Sequence, residues 1–305
     1  MMDAQRASSC LILAVSVVFA WMQPSALHKP PPRIEQGTVL TIQARSGLSM
    51  RFVHIAPGEF EMGDADLAIQ TAAVRVLTNI ASQGSSVPRG GLPIRKTKIT
   101  KLLYFAETKT TTGQFCDFLN EIEGPERYFN NNKWTTIAFD GEKYNPKPGC
   151  ADSAASTVLY VGAQAFCEWL SNRTGMSCRL PTESEWEFAA RGPKNRKFAW
   201  GNSTDSVKLV NQKEPQSVHH FRRAATPEGL QGMFGIVGEW CIDWYAPSFD
   251  LSDAIDPSGP IAGKYKVIKG RGGAAWIRHI GGLHADGGGI YGFRVVIEVE
   301  STKDK

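Results

Sequence analysis

Apolar and polar positions alternate from Phe52 to Met62 across Pro57-Gly58, and this period of two predicts a strand, a turn and a second strand. Between Asp66 and Ala81 the apolar residues Leu67, Ile69, Val74, Val76, Leu77 and Ile80 recur with helical spacing, and the polar loop from Ser82 to Ser86 closes that pattern. Thr97 to Phe105 returns to strand character. Thr110-Thr111-Thr112 before Gly113 offers an N-cap for a helix running to Asn120, with Phe115, Phe118 and Leu119 on one face. A second helix is expected over 162–173, presenting Ala165, Phe166, Trp169 and Leu170 and ending at Gly175. In a third, Thr182 caps, Glu185 completes a capping box and Gly192 terminates. Beyond Gly201 the helical period fades, and only Tyr265 to Lys269 and Phe293 to Val299 read as strands. Helices early, loops late and terminal strands that need partners predict one α+β domain over 51–300.

The N-terminus reads differently. Leu11 to Trp21 is an apolar run too short to span a bilayer, preceded by Arg6 and followed by Pro24, Ser25 and Ala26. It predicts a secretory signal over 1–26 and a linker with the first strand region over 27–50, where Pro30, Pro31 and Pro32 favour extended chain. The expected location is therefore outside the cytoplasm, at the cell surface or beyond it. A lipid anchor needs a cysteine after the apolar run; Cys10 precedes it, so membrane association has no acceptor here. The 305 residues are 42% hydrophobic and 10% aromatic, which excludes disordered and collagen-like chains. A net charge of +4, from 34 basic and 30 acidic side chains with no basic run, implies no nucleic-acid partner. None of the 6 cysteines forms a C-x-x-C pattern, and Cys116 and Cys167 fall on apolar helix faces, where cysteine behaves as a small core residue.

A series of blocks in fixed order resembles the formylglycine-generating enzyme (sulfatase-modifying factor) family. They are Phe52 to Gly63, Glu107-Thr108-Lys109-Thr110, Arg179 to Glu187, Trp200-Gly201, Gly235 to Trp240, Arg271-Gly272-Gly273 and Gly292-Phe293-Arg294. The resemblance covers nearly all of 51–299. It implies a C-type-lectin-like fold: a small twisted antiparallel sheet, two main helices and much irregular loop, held by Trp186, Glu239, Trp240, Trp244, Arg271 and Arg294. It also implies where chemistry would sit. In the enzymes, a cysteine pair between the Arg-Gly-Gly and Gly-Phe-Arg blocks binds copper as thiolates and performs the oxidation. Residues 274–291 of this chain contain no cysteine, and thiolate chemistry needs a thiol. Ile236 stands where the family usually places the oxygen donor Asn of a calcium-type site, and an alkyl group cannot ligate calcium.

The same stretch carries a second signal. Apart from Trp276, every residue type in 274–291 has a codon ending in a pyrimidine, and Ala, Ile, Gly, His, Leu, Asp and Tyr are what Asn codons become when their adenines are randomised. This resembles the variable proteins of diversity-generating retroelements, bacterial exported proteins that use the same lectin-type scaffold and vary between the same two blocks. The resemblance implies a ligand-binding surface made of Ala274, Ala275, Trp276, Ile277, His279, Ile280, Gly281, His284, Ala285, Asp286, Gly287, Gly288, Gly289 and Ile290, with Ile236 and Gly238 beside it. Its partner would be a protein or surface ligand. The expectation is a non-catalytic protein with no cofactor and no metal. The alternative is a metal-dependent oxidoreductase or hydrolase with ligands at His279 and His284 beside Asp286. Glu183, Glu185 and Glu187 read as an acidic first turn that complements a helix dipole, and His219-His220 as a solvated loop pair.

Overall fold

A computed structural model describes residues 14–18, 39–43, 49–63, 94–203, 216–220, 222–246, 255–271, 279–281 and 289–299. A six-stranded sheet runs in the order β1 (Ala14–Val18), β2 (Val39–Gln43), β3 (Ser49–Ile55), β6 (Leu102–Ala106), β14 (Val296–Val299), β9 (Ser177–Arg179). All its pairings are antiparallel except β1 with β2. Of the expected leader, only β1 is described, at the sheet edge. The helix expected over 66–81 lies outside the described residues.

Strand alternation gives this sheet two apolar faces. Tyr104, Ala106, Phe52, Val295 and Ile297 enter one core, which α1 (Thr112–Leu119) and α2 (Tyr160–Thr174) cover with Phe115, Phe118, Phe166 and Leu170. Leu103, Phe105, Val53, Ile55 and Val296 enter the other, packed on Trp186, Phe188 and Ala189 of α3 (Glu183–Arg191). All three helices begin and end near where the sequence places them. Thr111 and Gln114 form a capping box on α1, as do Thr182 and Glu185 on α3, and Gly175 ends α2 in the left-handed conformation.

Two expectations are corrected. The single strand from Thr97 to Phe105 is two, β5 (Arg95–Ile99) and β6, because the Thr100 N–H turns aside to donate to Asp256 Oδ1 at 2.8 Å. β5 then forms a hairpin with β4 (Gly58–Met62). The C-terminal region also holds more strand than the two stretches predicted. β10 (Gly238–Trp244), β11 (Lys266–Lys269), β12 (His279–Gly281) and β13 (Tyr291–Gly292) make a second sheet, ordered β12-β11-β10-β13. β10 escapes the period-two test because Glu239 and Asp243 are buried in it beside Trp240 and Cys241. A small hairpin, β7 (Ile137–Phe139) with β8 (Tyr144–Pro146), completes the architecture.

Candidate functional site

The candidate segment hangs from the second sheet by its two ends. At the N-terminal end, Arg271 is buried and forms a bridge with Gly235. At the C-terminal end, Tyr291 pairs in parallel with Gly238, the Gly238 N–H donates to Ile290 O at 3.0 Å, and the Tyr291 ring packs edge-on against Trp240 at 5.2 Å. The Arg271 guanidinium lies 5.9 Å from the Tyr291 ring centre, so the two ends also touch each other. Between them, His279, Ile280 and Gly281 add β12 to the sheet opposite Ile268, Val267 and Lys266.

Beneath these ends lies a buried ionic knot centred on Glu239 of β10. One carboxylate oxygen is 3.0 Å from Lys109 Nζ; the other accepts from Trp186 Nε1 at 2.8 Å and from Arg294 Nε at 3.1 Å. Arg294 also reaches the first oxygen from Nη2 at 3.2 Å and gives its other three donors to the carbonyls of Ala106, Glu107 and Gln231 at 2.7–2.8 Å. Burial alone would raise the Glu239 carboxyl, but the Arg294 and Lys109 cations outweigh it and hold the group below the ordinary carboxylate range. A second knot joins α3 to the sheets: Lys269 lies 2.9 Å from Glu187, and Glu187 also takes Arg191 and the Gly63 N–H. Glu187 thus does more than complement a helix dipole. Asp243, at the far end of β10, caps α3 by accepting the Glu183 N–H at 2.8 Å; burial, with the neighbouring Glu183 carboxylate, pushes its carboxyl up to about 7.

The expected anchors Trp186, Glu239, Trp240, Arg271 and Arg294 are all buried, but the three tryptophans do not form one cluster. Trp240 belongs to the core under α1 and α2, and Trp186 to the core under α3. Trp244, half-buried at the end of β10, lies under the Lys266 ammonium at 3.8 Å. Separation follows from where the three residues sit: Trp186 is on α3, while Trp240 and Trp244 lie four residues apart on β10, whose pairing with β11 shifts register between them.

Among the expected binding residues, Ile236 is half-buried at the rim. Gly238, Gly289 and Ile290 are buried. A Cβ on Gly238 would sit 2.6 Å from Ile268, and one on Gly289 would sit 2.0 Å from the Tyr291 ring, so glycine serves close packing at both. Ala274, Ala275, Trp276, Ile277, His284, Ala285, Asp286, Gly287 and Gly288 lie outside the described residues. Sequence reasoning missed Lys109, Gln231 and Lys269, because buried charges leave no periodic trace. Only the Glu107 to Thr110 block pointed near them.

The described cysteines offer no exposed pair for thiolate-bound copper: of the five, only Cys150 is not fully buried. Cys116, Cys167, Cys178 and Cys241 are buried in the two cores, and burial raises every one of these thiols, Cys116 to about 12 and Cys178 to about 11. Among the described residues no group of three or more His, Cys, Asp or Glu could hold a metal ion.

Comparison with known proteins agrees with this geometry. The model of the family described as "Sulfatase-modifying factor enzyme 1-like domain" matches residues 40–299. The serine/threonine-protein kinase pkn1 of Chlamydia caviae is 31% identical over 169 residues, covering 52% of this chain and 26% of that protein. The formylglycine-generating enzyme of Bos taurus is 33% identical over 141 residues, 37% of this chain and 34% of that protein. The chain therefore spans about a third or less of these relatives' lengths. Among solved structures, Treponema denticola variable protein 1 superposes with a TM-score of 0.61 at 18% identity, over 85% of this chain and 98% of that one, a likeness of fold.

Proposed function

This chain belongs to the sulfatase-modifying factor enzyme 1-like family, and we propose that within it the protein is an exported, non-catalytic ligand-binding member. Its binding surface is the stretch 274–288 with Ile236 beside it, diversified by a retroelement, and its partner is a protein or another surface ligand. One observation carries the reading: the stretch between the Arg271 and Tyr291 pins holds no sulfur nucleophile, while the scaffold on either side is over-determined by the Glu239 knot. A surface that accepts many side chains needs a backbone fixed by groups outside it. The pins and the knot supply that independence. Trp276 adds a large contact group of low conformational entropy.

Two measurements test this reading. Purified chain, supplied with copper and a cysteine-containing sulfatase peptide, is expected to leave the cysteine unchanged by mass spectrometry; conversion to formylglycine would overturn the non-catalytic assignment. Sequencing of the DNA beside the gene is expected to find a reverse-transcriptase reading frame and a near-copy of the codons for 274–291 differing at adenines. A neighbourhood without them would remove the retroelement.

A further inference from the structure

A second surface lies next to the candidate segment and varies in none of its proposed positions. Residues 129–136 run beside 156–158: Phe129 bridges Val158, the Asn130 N–H donates to Thr157 O at 2.9 Å, and Ser156 Oγ donates to Trp134 O at 2.6 Å. On the other side, the Val158 N–H donates to Tyr291 O at 2.9 Å. Neighbouring extended chains lie about 4.8 Å apart, so the run sits roughly 10 Å from the C-terminal pin.

The run is held rigidly. Gly162 of α2 lets the Tyr128 carbonyl approach so closely that a Cβ would come within 2.2 Å of it. The Leu159 N–H donates to that same carbonyl at 2.9 Å. Asn132 Oδ1 accepts the Trp134 N–H at 2.8 Å, and the Thr135 N–H returns to Asn132 O at 3.0 Å. Thr157, directly behind the loop, has φ +61, a left-handed conformation that β-branched residues avoid, and its hydroxyl is buried with no hydrogen-bond partner.

The tip carries recognition chemistry. Trp134 is half-exposed, and the Lys133 ammonium lies 5.1 Å from its ring centre. Asn131 and Lys133 are exposed, and the Asn132 amide is partly so. A half-exposed indole with amides at its edge suits the C–H face and hydroxyls of a sugar ring, and the ammonium suits a carboxylate. Arg127, in the short helical turn Pro125–Tyr128 that leads into the run, sits over Tyr128 at 4.8 Å.

We propose that the loop Asn131-Asn132-Lys133-Trp134 is a binding site for a carboxylate-bearing saccharide, separate from the segment 274–288 and independent of the reading given for it. Trp134 stacks on a sugar ring, Asn131 and Asn132 hydrogen-bond its hydroxyls, and Lys133 pairs with the uronate.

Calorimetric titration of the full chain with oligogalacturonate and with a neutral galacto-oligosaccharide of equal length tests this. Oligogalacturonate is expected to bind more tightly. Trp134→Ala should weaken it about tenfold or more, as loss of a central aromatic contact does, and Lys133→Ala should erase the preference over the neutral sugar. Asn131→Ala, on an exposed side chain, should lower affinity by roughly threefold, the scale of one hydrogen bond, and keeps the test open if Trp134→Ala fails to fold. Ile277→Ser/His284→Ser should bind as the parent does. Absence of saturable binding, affinity for the neutral galacto-oligosaccharide equal to that for oligogalacturonate, unchanged binding in all three loop variants, or loss confined to the Ile277→Ser/His284→Ser chain would each overturn the proposal.

Discussion

Glu239 shows how much one side chain does. Its carboxylate neutralises Lys109 and Arg294 and accepts from Trp186, all inside the protein. Glu239→Gln leaves two buried cations without a counter-charge, and breaking a buried pair in this way costs about 3–5 kcal/mol. A urea denaturation midpoint should fall accordingly, and a midpoint unchanged from the parent would mean that the knot contributes little. Asp243 gives a prediction of opposite character. Its folded pKa is raised from 3.8 to about 7 by burial and by Glu183, with Glu185 adding to the shift, while Lys266 faces it from β11. An acid raised on folding binds more protons folded than unfolded, so stability is lost as pH rises from about 4 to 7 and stays low above that. Asp243→Asn should therefore match the parent near pH 4 and melt at a higher temperature at pH 8, where Asn still offers an oxygen to the Glu183 N–H. Equal melting temperatures at pH 8 would refute the raised pKa.

At the scale of elements, the helices were legible, and of the second sheet only β11, expected over 265–269, was. Caps and stops are local chemistry: Thr182 with Glu185, and Gly175 at φ +68, announce helix ends without knowledge of the rest of the chain. β10 gives no such signal, because its buried carboxylates meet groups from the segment after β6, from α3 and from the turn before β14. The partners of Glu239 run from Trp186, 53 residues away in sequence, to Lys109, further still. The same limit hid the inward placement of Gly238 and Gly289, since only the neighbouring Ile268 and Tyr291 show that a larger residue has no room. Gly162 tests the element scale directly. Gly162→Ala must push α2 from the Tyr128 carbonyl, and overpacking of this kind costs about 1–3 kcal/mol. A thermal melt within error of the parent would show that the contact yields freely.

At the scale of the molecule, two cores share one sheet, and the described parts of the candidate segment join the second sheet at the Arg271 and Tyr291 ends and through β12. Replacing 282–288 with Gly and Ser should therefore move the melting temperature by no more than about 3 °C, the range of surface changes in a chain of this size. A collapse of the fold would place those residues in the core. The family and its architecture were visible from ordered sequence blocks, whereas the division of Trp186 and Trp240 between the two cores depends on which core α3 and β10 each face in the folded chain.

The joining of Gly235 to Arg271 and of Gly238 to Tyr291 carries an implication for length. Both closures lie within four successive residues of one chain and β12 is paired to β11 between them, so each run between these fixed points, 272–278 and 282–288, is a tether whose ends are already placed. Doubling such a tether adds only about 0.6 kcal/mol of closure entropy. Insertions there should be nearly as admissible as substitutions, and descendants of this gene can differ in how far the tether reaches, not only in what it displays.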